Sequence, residues 1–236
     1  MTNQKMKPIQ EHDKEYICDI AAPCFTSLTP DQLAIVKTSR TQVKFRKGEN
    51  LTKQGMFASY ILFIINGLAI KFIEGNGNKN LNLEVAGAGD FVGLSSVFTE
   101  GTFEYSAVTL TDSHALLVEK SAIYNVLESN AKFASELIKR YTKSNSVLYT
   151  SIQTLLFNQM NGKMAKALLY LGKIKKSEPD IFMLLGRKEI AGFAGISVEN
   201  AIKILRHFEK DNLIILKEKD IEILNPDILK DISLHG

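Results

Sequence analysis

LLGRKEIAGFAGISVENAIKILRHFEKDNLIILKEKDIEIL, residues 184–224, decides how the rest of this chain is read. Arg187 to Ala194 has the pattern of a short helix, Gly195 a turn, and Val198 to Lys210 a second helix with Ser197 at the N-cap position. Two further apolar runs, LIIL and IEIL, are joined by KEKD and predict a β-hairpin. Two helices joined by a short Gly-containing turn make a helix-turn-helix, and the hairpin behind them makes a wing. On the second helix the expected apolar stripe is Ala201, Ile202, Leu205 and Phe208. That leaves Val198, Glu199, Asn200, Lys203, Arg206 and Lys210 facing outward. A solvated face would look similar, but in this motif the start of the second helix enters the major groove of DNA while flanking residues grip phosphates. A carboxylate can accept from cytosine N4 and a lysine can donate to guanine.

Upstream, Ser121 to Met160 contains neither Pro nor Gly. Ala134, Leu137, Tyr141, Ser144, Leu148, Ser151 and Leu155 alternate at three and four residues, and Ile138, Asn145 and Ile152 form a parallel row at seven. This predicts one long helix. Its stripe fits either packing on its own domain or a two-stranded coiled coil with a buried Asn that sets register, and its length favours self-association. From Val43 to Glu119 short apolar runs alternate with turn signals (RKGEN, NG, EGNGN, AGAGD, TEGT), the texture of a sandwich or barrel-like roll. Within it, FVGLSSVFTEGTFEYSAV, residues 91–108, has the glycines and serines of an anion cradle but neither Lys nor Arg. The expected fold class is α+β, divided into a sensor roll over 1–120, a long dimerisation helix over 121–160 and a winged helix-turn-helix over 161–236. The tail NPDILKDISLHG predicts a short final helix.

Composition constrains function. The 236 residues carry a formal net charge of +3, and the region from Gln159 onward holds 13 basic against 11 acidic residues. Affinity for an anionic polymer would therefore come from positioned contacts more than from bulk field. No apolar run is long enough to span a membrane and the N-terminus lacks a signal-peptide core, so a cytoplasmic protein is expected. The four histidines are scattered, with no catalytic or metal spacing, and AGAGD at residues 86–90 does not open a helix after a strand; neither an enzyme nor a metal site is expected. Cys18 and Cys24 are the only cysteines. They are either free thiols or a redox pair.

FRKGENLTKQG with YILFIINGLAIKF, GAGDFVGLSSVFTEG with YSA, the long helix and LGRKEIAGFAGISVENAIKILRHFEKDNLI together resemble the Crp/Fnr family of bacterial transcription regulators over essentially the whole chain. The resemblance implies a cyclic-nucleotide-binding-type β-roll, a dimerising helix and a DNA-binding winged helix-turn-helix. It also implies a homodimer on an inverted repeat and RNA polymerase as a partner, through the loop SEPDIFML. By position, Arg187, Lys188, Ser197 and Asn200 are similar to phosphate or backbone contacts. Glu199 falls on a base-reading glutamate, Lys203 stands where an arginine is usual, and Val198 matches the Fnr-like branch, which implies a TTGA-like half-site. Arg206 and the wing lysines Lys217 and Lys219 complete the DNA-binding set.

The effector pocket expected from the resemblance comprises Gly93, Leu94, Ser95, Ser96, Tyr105 and Ser106, with Leu148 and Tyr149 from the long helix. Leu94 and Tyr105 replace the glutamate and arginine of cAMP-binding members, and Leu148 and Tyr149 replace a Thr-Ser pair. These departures argue against cAMP, because a phosphate without a cation in a partly buried site costs several kcal/mol of desolvation. No cofactor is expected. A less charged small molecule, a redox or haem signal near the N-terminus, or no effector at all stay open. A ligand-binding interaction module whose helix-turn-helix contacts protein is the alternative function.

Overall fold

The computed structural model describes residues 7–9, 13, 25–75, 79–99 and 101–235. Cys18 and Cys24 lie outside them. The contacts divide the chain into two compact units: residues up to Ile73 together with Val85–Asn145, and Glu74–Glu84 together with Ser146–Gly236.

The first unit is a β-roll. Its five-stranded sheet runs β1 (Lys7–Ile9), β2 (Arg40–Phe45), β9 (Ser113–Glu119), β4 (Tyr60–Asn66), β7 (Phe91–Val92). A four-stranded sheet runs β3 (Asn50–Thr52), β8 (Ser106–Thr109), β5 (Ala69–Glu74), β6 (Asn80–Ala86), of which residues 80–84 group with the second unit. Strand β4 explains why YILFIIN is apolar without alternation. Ile61 and Phe63 join one buried cluster with Phe25, Phe91, Leu116 and Phe133, while Leu62 and Ile64 join another with Val43, Phe45, Ala107 and Ala115. Both faces of this strand are covered, the condition under which a strand loses its period of two. Phe25, Phe63 and Phe91 meet edge-to-face at 5.1–6.1 Å between centroids, a geometry that adds to burial.

The long helix expected over 121–160 is two helices, and a third begins at Met160. Helix α2 (Lys120–Ser129) stops at Asn130, whose backbone is extended (φ −136°, ψ 95°), and α3 (Ala131–Phe157) starts afresh. Asn130 is an internal cap: its Oδ1 accepts from Phe133 N at 2.9 Å, and its Nδ2 donates to Ser27 O at 2.9 Å and to Gln32 Oε1 at 2.8 Å. Gln32 lies on α1 (Pro30–Thr38), which has its own capping box from Thr29. A side chain that satisfies the orphan N–H groups of a helix start ends one helix and opens the next without Pro or Gly. After Phe157 the chain breaks again, and α4 (Met160–Ile174) carries Gly162 inside it.

The second unit is built on α4, whose Met164, Ala165, Leu168 and Leu171 are buried. Around it stand α5 (Ile181–Leu184), α6 (Arg187–Ala194), α7 (Val198–Lys210), the hairpin of β10 (Ile214–Lys217) and β11 (Asp220–Ile223), and α8 (Pro226–His235). The tail NPDILKDISLHG thus holds a helix, α8, as its pattern predicts. Asn158 Nδ2 donates to Ser233 O at 2.7 Å and holds α8. No helix of the described residues is long and apolar enough to cross a membrane.

Candidate nucleic-acid interface and effector cradle

Helices α6 and α7 have the boundaries that the sequence predicts, and local chemistry fixes them. Gly195 ends α6 in the left-handed region (φ 63°), where glycine alone is unstrained. Ile196 N donates to Ala191 O, and Gly195 N reaches back to the last turn, so the terminal carbonyls of α6 are used. At the other end Glu189 accepts from Gly186 N at 2.8 Å. Ser197 caps α7 by accepting from Asn200 N at 3.2 Å.

The buried face of α7 is Ala201, Ile204, Leu205 and Phe208. Ile202, expected in that stripe, is only half-buried, and Ile204 takes its place. The correction follows from the helical period: 201, 204, 205 and 208 lie within one face, whereas 202 is rotated by about 100° from Ala201. Glu199, Lys203, Arg206 and Lys210 are exposed on the opposite side, and Val198 is 37% exposed at the helix start. Asn200 is half-buried and its Nδ2 lies 3.2 Å from Met160 Sδ. Lys188 is exposed and Arg187 half-exposed at the start of α6.

The wing turns over two residues, Glu218 and Lys219, between the paired Lys217 and Asp220. Lys219 is exposed at its tip. Lys217 Nζ sits 2.5 Å from Glu222 Oε2, and that hydrogen bond and charge hold its ammonium above the usual lysine pKa. The wing is anchored twice. Glu209 Oε1 accepts from Leu216 N at 2.9 Å, and Lys175 Nζ donates to Asp220 at 2.7 Å and to Ile221 O at 3.1 Å.

In the roll, Gly93 (φ 80°) opens a 3₁₀ turn over Leu94–Val97. A Cβ at Gly93 would stand 2.6 Å from the Phe103 ring, so no other residue fits. The cradle's polar groups are engaged with each other. Gly93 N donates to Tyr105 Oη at 2.8 Å, Ser96 Oγ donates to Gly93 O at 2.7 Å, and Ser106 Oγ accepts from Gln54 N at 2.9 Å. Leu94, Ser95, Ser96 and Ser106 are all buried. A tyrosine hydroxyl therefore takes one backbone N–H, that of Gly93, which an anion could otherwise use, and Leu94 offers no carboxylate to a ribose. The residues present do not fit a cyclic nucleotide.

One charged group of the roll was not anticipated. Lys71 on β5 is only 6% exposed, and its Nζ lies 5.7 Å from the centre of the Tyr105 ring. Register explains the contact: Lys71 pairs with Ala107, two residues from Tyr105 and so on the same face. The signal was a lysine set among the apolar residues of AIKFI. Leu148 and Tyr149 lie in the part of α3 that groups with the second unit, and Tyr149 is 66% exposed.

Along α3, Ile138 (63%), Tyr141, Tyr149, Ile152 (52%) and Leu156 are exposed, with Asn145 between them. They are three or four residues apart and share one side of the helix; of the stripe expected from the sequence, Leu137 is instead buried with Phe133 in the roll core, and Leu148 and Leu155 are half-buried.

Residues 42–130 match the family model for a cyclic nucleotide-binding domain, and residues 162–232 the model for a Crp-like helix-turn-helix domain. The chain is 25% identical over 213 residues to the CRP-like cAMP-activated global transcriptional regulator of Mycobacterium tuberculosis, which spans 88% of this chain and 95% of that protein. It is 26% identical over 185 residues to the cAMP-activated global transcriptional regulator CRP of Salmonella typhimurium, covering 76% of this chain and 88% of that one. A solved transcriptional regulator of the Crp/Fnr family from Eubacterium rectale has the same fold, with a TM-score of 0.73 at 16% identity over 90% of this chain and 98% of that one.

Proposed function

This chain belongs to the Crp/Fnr family of DNA-binding transcription regulators, and we propose that it acts as a homodimer on an inverted-repeat site with TTGA-like half-sites. The carrying observation is the exposed face of α7, with Glu199, Lys203 and Arg206 outward, behind a capped start at Ser197. Glu199 accepts from a cytosine N4, and Lys203 donates to a guanine as a single point donor. Arg187, Lys188, Ser197, Asn200 and the wing residues Lys217 and Lys219 position the unit on phosphates, and Val198 meets the floor of the groove. The exposed row on α3 supplies the seam between two copies, with Asn145 setting its register. RNA polymerase is the further partner and the cytoplasm the compartment. The roll controls the geometry of the pair through an effector other than a cyclic nucleotide.

The test is a gel-shift titration with a duplex carrying TTGA-N6-TCAA, whose half-sites sit one helical turn apart. Tight binding to this duplex and weak binding to a scrambled one support the reading. If about six phosphates are neutralised per dimer, raising salt from 50 to 200 mM lowers affinity by about 1,000-fold. Equal affinity for both duplexes, or no salt dependence, refutes it.

A further inference from the structure

The segment Glu74–Glu84 belongs to the same compact unit as the helix-turn-helix. Three consecutive residues at the start of β6 lie close to α6 or its turn. Asn82 is buried and its Nδ2 donates to Glu189 O at 2.8 Å. A Cβ on Gly192 would stand 2.7 Å from Asn82 Nδ2, 3.0 Å from its Cγ and 3.3 Å from Asn80 O. A Cβ on Gly195 would stand 3.5 Å from Leu81 Cδ1. Gly192 is in the middle of a helix, where glycine is unfavourable by itself. Its presence there is explained by the close approach of Asn80 and Asn82.

This contact lies beside the working end of the motif. Gly195 is the turn that leads to Ser197 and Val198, the residues at the start of the recognition helix. The major groove, about 12 Å wide, admits one helix between two phosphate strands, and in this motif the start of α7 goes in first. A strand segment held beside the adjoining turn would compete there with the phosphate strand that flanks a seated α7. We propose that Asn80–Asn82 form an intramolecular latch on α6 and its turn, which must release before α7 seats fully on DNA. The latch rests on the DNA-binding reading above. It is light: one hydrogen bond to a carbonyl, worth about a 2- to 12-fold change in an equilibrium, together with the small contact of Leu81. Binding energy of ordinary size can open it.

The test uses the full chain and three variants: Asn82→Ala, which removes the donor; Gly192→Ala, which pushes the strand away from the helix side while favouring α6; and both together. Affinity for the TTGA-N6-TCAA duplex is measured by fluorescence anisotropy, and hydrogen exchange of residues 187–200 is followed in the free protein. Each single variant should bind about 3- to 10-fold tighter. The double variant should gain no more than the better single one, because both break the same contact. Exchange should be faster in all three. Unchanged or weaker binding in both single variants, with the unmodified chain binding normally, overturns the latch, as does full additivity. If no form binds either the repeat or a scrambled duplex, the DNA-binding reading fails instead. The latch contact is then judged by exchange alone, where unchanged rates reject it. Should Asn82→Ala fail to fold, Gly192→Ala carries the test.

Discussion

On α7, Glu199, Lys203 and Arg206 project into solvent, whereas in the roll Gly93, Ser96, Tyr105 and Ser106 bond to one another or to the neighbouring backbone. A capped helix start and a 3₁₀ turn are both backbone shapes that can meet a phosphate. One keeps its polar groups available and the other has closed on itself. A binding site is lost as surely when its donors find internal partners as when they are deleted, and the backbone shape survives either way.

The contrast can be broken at several points. The largest expected effect is on the seam. Ile138→Asp with Ile152→Asp puts two carboxylates where each isoleucine would bury about 1.5–3 kcal/mol of apolar surface. Sedimentation should show a monomer, and affinity for the inverted repeat should drop by about 100-fold or more as the two half-sites lose their linkage. Next comes Glu199→Ala, expected to cost about 1–3 kcal/mol on the TTGA duplex and little on a scrambled one. Equal losses on both would show that this face grips without reading. Asn130→Ala removes a cap and two further bonds, and should lower stability to denaturant by about 1–3 kcal/mol. In the cradle, Tyr105→Phe leaves Gly93 N–H unsatisfied, an expected cost of about 1 kcal/mol. Millimolar cAMP should leave the melting temperature of the unmodified chain unchanged; a clear rise would reopen the site. The smallest effect is at the wing. Lys217→Met should weaken DNA binding less than about threefold, as expected of one exposed charge. Because Glu222 raises the Lys217 pKa above its ordinary 10.5, the ammonium is kept at all lower pH and is lost only as pH rises through the raised value. The Lys217-dependent part of binding should therefore be the same at pH 7 and pH 9.

The C-terminal unit was the most legible part of the sequence because its boundaries are chemical. Gly195 and Ser197 mark an end and a start that only certain residues can make. The error at Ile202 arose where two isoleucines, 202 and 204, flank Lys203 and either could complete the stripe; only the three-dimensional face decides. The roll was legible as a class, from its turns, but its interior was not. Lys71 looked like an ordinary break in alternation until its pairing with Ala107 placed it beside Tyr105. The pairing of Tyr105 with Gly93 spans twelve residues, which no local pattern reports. The helix break at Asn130 was missed for a different reason. Asparagine breaks a helix only when its amide has somewhere to go, and its partners here are about a hundred residues away.

That separation has a consequence for the order of assembly. The bonds of Asn130 to Ser27 and Gln32 close spans of 103 and 98 residues. Contacts of such high sequence separation pay their loop entropy before they return anything. Asn130 Oδ1 can cap Phe133 N at once, three residues away, but the amide nitrogen finds its acceptors only after the segment holding Ser27 and α1 has come back to meet it.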